Sequence, residues 1–299
     1  MLSEKKLISV KDFSPEELRK WQLKLLEILV YFRDFCEAHH LRFMLAAGTC
    51  LGAVRHKGFI PWDDDLDVQM PRADYEKMIE IWNKEADTSR YVCSVTNEKN
   101  CSRFPMAVIR SVGTTCIYNH SVNDDICQGL KIDVEFLDGV PDNKVVRLFN
   151  MVLAYILALF RAQRVPERAS RLKTAVSRIL LWLVPTAKMR WKISRCCEKQ
   201  IKKYPFGESE YVRYLACALR PSKCFVDQVY LDFEGYKMPV PAGYDAVLRA
   251  AYGDYMQYPP EKARKPATDN LVFYDLDKSY LEYKGKYYCK NVGATHADL

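Results

Sequence analysis

The run Leu45-Ala46-Ala47-Gly48-Thr49-Cys50-Leu51-Gly52-Ala53-Val54-Arg55-His56-Lys57-Gly58-Phe59-Ile60-Pro61-Trp62-Asp63-Asp64-Asp65-Leu66-Asp67-Val68 decides the architecture, because each of its ends belongs to a different element. At the front, Leu41 to Ala47 reads as a short buried strand. It runs into Gly48-Thr49, a tight turn that opens a short helix and can offer backbone N–H groups to a phosphate. Gly58 to Trp62 is a proline-containing loop. Behind it, Leu66, Val68 and Met70 alternate with Asp65, Asp67 and Gln69, the period of a half-buried strand. Successive side chains of a strand point to opposite faces. Asp65 and Asp67 therefore share one face, while Leu66 and Val68 enter a core.

The same alternation recurs at Leu130-Lys131-Ile132-Asp133-Val134-Glu135-Phe136. It puts Lys131, Asp133 and Glu135 on one face and Ile132, Val134 and Phe136 behind. If the two strands are neighbours, three or four carboxylates converge. Like charges packed so closely raise one another's pKa unless a cation neutralises them. An all-oxygen donor set selects a hard divalent ion, Mg²⁺ or Mn²⁺. The plainer alternative makes Trp62-Asp63-Asp64-Asp65-Leu66-Asp67 a solvated acidic loop. The apolar partners Leu66, Val68 and Met70 argue against that, and so does the phosphate-type turn upstream. Metal-holding carboxylates facing a phosphate cradle are the parts phosphoryl transfer needs. Between them, the two cations and the imidazole of Arg55-His56-Lys57 suit neutralisation of a diphosphate.

Outside this core, Ser14 and Glu17 form a capping box with Pro15 at the first helical position. Leu18, Trp21, Leu25, Ile28, Leu29, Phe32 and Phe35 continue as one long amphipathic helix to about His39. Pro71 starts another helix, Tyr236 to Pro241 reads as an edge strand, and Tyr244 to Tyr252 reads as a helix. Hydrophobic residues make up 49% of the 299 residues and charged residues 28%, the composition of a soluble globular chain rather than a disordered one. The N-terminus carries charges but no apolar core segment, so no secretory signal is expected and the cytosol is the default compartment. Eleven cysteines without a C-x-x-C pair read as reduced, buried thiols. A zinc site from Cys93, Cys101, Cys116 and Cys127 would need spacings that match no closed pattern.

Charge is unevenly spread. Between Lys144 and Lys203 stand fifteen Lys or Arg and two acids, Glu167 and Glu198, a balance of +13 within a chain whose total is +7. The segment is helical, broken at Pro166 and Pro185, and its longest apolar run, Met151 to Phe160, is half of what a bilayer core requires. Leu172, Val176, Ile179, Leu180, Leu183 and Trp191 interleave with Arg171, Lys173, Arg178, Lys188, Arg190, Lys192 and Arg195. That pattern fits a helix lying in a membrane interface, or a helical annex with a solvated basic face. Anionic surfaces are the partners such an arm suits.

The quoted run closely resembles the signature of the LicD family, phosphocholine transferases of bacterial surface glycans related to fukutin and fukutin-related protein. Further matches are Ile132-Asp133-Val134 with Leu137-Asp138-Gly139-Val140-Pro141, and Tyr252-Gly253-Asp254-Tyr255-Met256 before Pro259-Pro260. The resemblance implies an α+β fold, a nucleotidyltransferase-like mixed sheet flanked by helices, here with a basic helical insertion. The resemblance covers roughly residues 20–142 and 230–262; together with the charge distribution it divides the chain into a catalytic core over 1–142, a basic amphipathic segment over 143–205, and a part over 206–299 that completes the catalytic domain. On its pattern Asp65, Asp67 and Asp133 hold the metal, and Gly48 and Thr49 meet donor phosphate. It implies transfer of phosphocholine from CDP-choline to a glycan hydroxyl with release of CMP; fukutin-like members use CDP-ribitol. Asp63, Asp64, Glu135 and Asp254 are further candidates. Choline prefers aromatic faces, which points to Trp62, Tyr252 and Tyr255. The acceptor is expected on a lipid carrier, with the enzyme peripheral at the inner face of the cell membrane and nucleic acid not its partner. After Pro259-Pro260 the family pattern often brings a histidine, and none follows here until His296. The competing readings are a nucleotidyltransferase that adds NMP to a small molecule or RNA, and a non-catalytic scaffold.

Overall fold

The computed structural model describes residues 8–166 and 169–290. Along the chain the elements are α1 (Pro15–Ala38), β1 (Met44–Leu45), α2 (Ala47–His56), β2 (Asp67–Pro71), α3 (Arg72–Glu85), β3 (Tyr91–Ser94), β4 (Ala107–Ser111), β5 (Thr115–Tyr118) and β6 (Lys131–Val140). They continue as α4 (Lys144–Ala162), α5 (Arg171–Leu183), α6 (Ala187–Ile201), β7 (Tyr211–Arg213), β8 (Arg220–Pro221), β9 (Gln228–Phe233), β10 (Tyr236–Pro241), α7 (Tyr244–Tyr252) and β11 (Leu271–Asp275). The chain is thus α+β, with a mixed sheet flanked by helices.

The sheet runs in the order β1-β2-β6-β4-β3, and β7 and β8 extend it from the C-terminal half of β6. β2 and β6 lie side by side and parallel, while β1, β4 and β3 pair antiparallel. Small two-stranded pairs, β9–β10 and β5–β11, stand beside it. One apolar core contains Val68, Met70, Ile132, Val134 and Phe136 of the central strands with Leu25, Leu29 and Phe32 of α1 and Met78 and Trp82 of α3. α1 starts as the capping box requires: the Ser14 N–H donates to Glu17 Oε2 at 2.7 Å and the Glu17 N–H to Ser14 Oγ at 3.1 Å.

Two local expectations change. The first strand shrinks to Met44–Leu45, because α2 already begins at Ala47 and takes Gly48 and Thr49 into its first turn. The acidic strand starts only at Asp67, so Asp63 to Leu66 are extended without a full ladder. Alternation reports which way side chains point, not which amides find a partner.

The basic segment becomes three helices. α4 and α6 join the core through Ala154, Leu157, Cys197 and Ile201. They are also tied to the sheet by buried ion pairs. Arg72 meets Asp138 at 2.5 Å and Glu198 at 3.2 Å, and Arg161 meets Glu198 at 2.7 Å. α5 is different, since Ser177 is its one buried residue.

Candidate active site

Asp67 stands directly opposite Asp133 in the parallel register of β2 and β6, and Gln69 stands opposite Glu135. Residues paired across a sheet share a face, so the acids of two strands 66 positions apart meet. Asp65 continues the same face two residues before Asp67. The electrostatics record the crowding. Burial, then the charges of Asp64 and Asp133, push Asp65 up to about 6. Burial, then Asp65 and Asp64, push Asp63 up to about 8, and Asp63 and Asp65 are hydrogen-bonded to each other. Asp67 is driven well above the usual carboxylate range by burial, then by Asp65, Glu135 and Asp133. Glu135 rises to about 7, chiefly by burial and against the pull of Arg220.

Among the described residues, no three His, Cys, Asp or Glu side chains are already gathered on one point. Asp133 is instead ion-paired with Lys131 from its own strand, and Asp63 is hydrogen-bonded to Asp65. The donor set is nevertheless all-oxygen; burial first, and then the mutual repulsion of the carboxylates, raises their proton affinities, and a divalent cation would relieve that repulsion. The residues present fit Mg²⁺ or Mn²⁺.

α2 points its N-terminus at this cluster. A Cβ added to Gly48 would lie 2.7 Å from Asp63 Oδ2, so only glycine lets the helix approach the carboxyl so closely. Ala46 supplies no side-chain cap, which leaves the first-turn amides for an anion. The Thr49 side chain does not face that anion position. It is buried, and its Oγ1 accepts from the Asp67 N–H at 2.9 Å. Thr49 therefore pins the helix to the start of β2.

Several candidates sit elsewhere. Asp64 is buried and turned away, its two oxygens accepting the Ala267 and Thr268 N–H groups at 2.7 and 2.9 Å. Arg55, His56 and Lys57 close the far end of α2, roughly 12 Å from Gly48 at 1.5 Å per residue. There Arg55 donates to the Tyr255 carbonyl at 2.6 Å and to His56 Nε2 at 2.9 Å. Lys57 is the left-handed cap residue. Arg55 and the His56 ring thus serve the fold of residues 255–258 rather than the carboxylate cluster. Tyr255 is buried and its hydroxyl donates to Asp245 at 2.8 Å, so it is core. Asp254 accepts from Gln257 within its own turn. Trp62 packs on His56 and Tyr258, with the Arg264 guanidinium 5.7 Å from its ring. Of the three aromatic candidates, Tyr252 reaches the acids. Its hydroxyl is pushed up to about 12 by burial, then by Asp63, Asp67 and Asp65.

Two cavities flank the cluster. The larger, about 460 Å³, is bounded by Asp65, Asp133 and Lys131, by Phe104, Tyr118 and His120, and by the inner side of α4. The smaller, about 230 Å³, holds Ala46 and Ala47 at the start of α2 together with Gln69, Glu135, Arg220 and Tyr252. His120, Arg220 and Lys131 are functional candidates that motif reading passed over. Lys131 was visible in the alternation of β6. Arg220 reaches Gln69 Oε1 at 3.0 Å from β8, 151 positions away, and no local pattern announces it. Both ring nitrogens of His120 lack a hydrogen-bond partner. Burial, then Arg164, Arg110, Lys131 and Arg103, lower it to about 3, so it is neutral at physiological pH.

Residues 40–112 match the family model described as LicD/FKTN/FKRP, nucleotidyltransferase domain. Over 261 residues the chain is 30% identical to the lipopolysaccharide cholinephosphotransferase LicD of Haemophilus influenzae (strain ATCC 51907 / DSM 11121 / KW20 / Rd), an alignment covering 83% of this chain and 95% of that protein. The chain belongs to the LicD family. The family model ends just after β4, before β6 brings Asp133. An uncharacterized protein of Rickettsia prowazekii (strain Madrid E) is 33% identical over 67 residues, 20% of this chain and 25% of that protein. One from Rickettsia typhi (strain ATCC VR-144 / Wilmington) is 36% identical over 55 residues, 18% of each. This LicD-family chain is a transferase, and its acidic cluster is the candidate catalytic centre.

Proposed function

We propose that the chain transfers phosphocholine from CDP-choline to a hydroxyl of a cell-surface glycan precursor, lipopolysaccharide being the example its relative offers, and releases CMP. One observation carries the reading: the parallel register that sets Asp67 against Asp133 in front of the uncapped start of α2. Asp65, Asp67 and Asp133 would hold Mg²⁺ or Mn²⁺. When bound, such an ion neutralises the donor diphosphate and the charge that grows on the leaving phosphate.

The chain's own groups do the rest. First-turn amides of α2, at Gly48 and Thr49, bind and orient phosphate oxygens. Lys131, ion-paired with Asp133 on the wall of the larger cavity, offers a cation there to phosphate oxygens. The acceptor oxygen attacks the choline-bearing phosphorus in line, the bond from that phosphorus to the CMP oxygen breaks, and the acceptor proton leaves to a base. Glu135 suits that role, since a carboxyl near 7 accepts protons at neutral pH. Tyr252 presents an aromatic face beside the acids for the trimethylammonium group. The acceptor rides on a lipid carrier, which places the enzyme peripherally at the inner face of the membrane.

A donor screen tests this. CDP-choline, CDP-ribitol, CDP-glycerol and CDP-ethanolamine are supplied with Mg²⁺, and CMP release is scored beside labelled NTPs. CMP release greatest with CDP-choline is expected. Transfer of NMP from the NTPs would replace the reading with nucleotide addition, the chemistry for which the matched domain is named.

A further inference from the structure

α4 and α5 carry apolar stripes that nothing in the described fold covers. On α4, Val145, Leu148, Phe149 and Val152 follow the i, i+3, i+4, i+7 spacing of one helix face, and Val145 and Phe149 are 78% and 61% exposed. The opposite side of α4, at Asn150, Ala154, Leu157 and Arg161, is buried. On α5, Leu172, Val176, Ile179 and Leu183 form a second stripe, with Trp182 beside it at 77% exposed. α5 is attached through Tyr155, whose hydroxyl pairs with Ser177 Oγ at 2.6 Å. A helix with five large exposed apolar residues and one buried serine is not held together as an ordinary surface helix is.

The charges say what covers it. Besides the buried Arg161, α4 and α5 carry Lys144, Arg147, Arg171, Lys173 and Arg178 and no Asp or Glu. Pairing with a second copy would bring two positive faces together, which like-charge repulsion opposes. Apolar stripes rimmed by cations, with a tryptophan at the boundary, match an anionic lipid surface. α4 is long and apolar enough to cross a bilayer, but its inner side holds Arg161 in the Glu198 pair, so the helix belongs to the domain and lies on the surface.

The geometry points to the exposed stripes of α4 and α5 as a docking face for an anionic bilayer. α4 links the lipid face to the chemistry along its length. Leu159 continues the stripe beyond Val152; Tyr155, Ala158 and Ala162 flank it, and together they wall the larger cavity that reaches Asp65 and Asp133. The cavity therefore opens beside the last turns of the helix that carries the stripe. That placement brings a hydroxyl on a lipid-borne glycan within reach without withdrawing the lipid. This deepens the membrane-side part of the proposed function and rests on it only for the identity of the acceptor.

Co-sedimentation of the full chain with vesicles tests the face without any turnover, so a failed donor screen leaves it standing. Binding to phosphatidylcholine–phosphatidylglycerol vesicles, weakened by salt and nearly absent on phosphatidylcholine alone, is the expected result. Ile179→Glu and Trp182→Glu alter exposed positions outside the catalytic cluster. Each lowers partition about tenfold and leaves turnover of a soluble acceptor unchanged. Equal binding to both vesicle types, no binding to either, or wild-type partition by both variants overturns the proposal. So does a concentration-dependent dimer that these substitutions abolish.

Discussion

Replacing Asp65 by Asn removes one charge from a cluster that repels itself. In the unfolded chain this carboxyl ionises near 3.8, and in the fold near 6. The folded state therefore holds the proton more tightly. The group costs nothing below about pH 4, and it destabilises increasingly as pH rises through 6. A shift of about two units corresponds to about 3 kcal/mol at pH 8. Asparagine keeps the shape and carries no charge, so the metal-free variant is expected to melt higher than the parent at pH 8. With about 2–4 °C per kcal/mol for a domain somewhat smaller than this one, the gain is roughly 5 to 10 °C. Because the four carboxyls titrate as a set, relieving one also lowers the proton affinity of the rest. Mg²⁺ should reverse the order, raising the parent's melting point and the variant's much less, while CMP release by the variant falls by orders of magnitude. Thermal melts in EDTA and in Mg²⁺ at pH 4 and pH 8 read every part. An Asp65→Asn protein that melts at or below the parent at pH 8 in EDTA, or an equal Mg²⁺ shift in both, would refute the electrostatic argument for a cation site.

Thr49→Val keeps the volume but leaves the Asp67 N–H without its acceptor; a loss of about 1–3 kcal/mol in urea unfolding is expected, together with weaker Mg²⁺ stabilisation as β2 loosens. Glu198→Gln leaves the buried Arg161 guanidinium without a charged partner and should cost about 3 kcal/mol or more. In the parent, burial raises Glu198 but Arg161 and Arg72 outweigh it and hold the carboxyl below 4.5. Its contribution is therefore present above pH 4.5 and lost as acid titrates it, so urea titrations of parent and variant should converge at the acid end.

Much of the site was legible because alternation is a local property. Two acids two residues apart on a strand must share a face, and the pairs Asp65 with Asp67 and Asp133 with Glu135 each follow from that rule with the apolar residues between them. The capping box at Ser14, the helix at Tyr244 and the break of the basic segment at its prolines are local in the same sense. What no local pattern could supply was pairing across distance. The parallel register of β2 and β6 depends on chain 66 positions away. Asp64 looked identical to Asp63 and Asp65 in sequence, but backbone amides 203 and 204 residues distant claim it. Arg55 looked like a phosphate ligand until the carbonyl of Tyr255 took its guanidinium. Sequence by itself determined which side chains could face together, since that depends on backbone period alone. Tertiary structure decided which of them meet a carboxylate, an amide or an exposed apolar surface, because hydrogen bonds and desolvation are set by whichever residues the fold brings into contact.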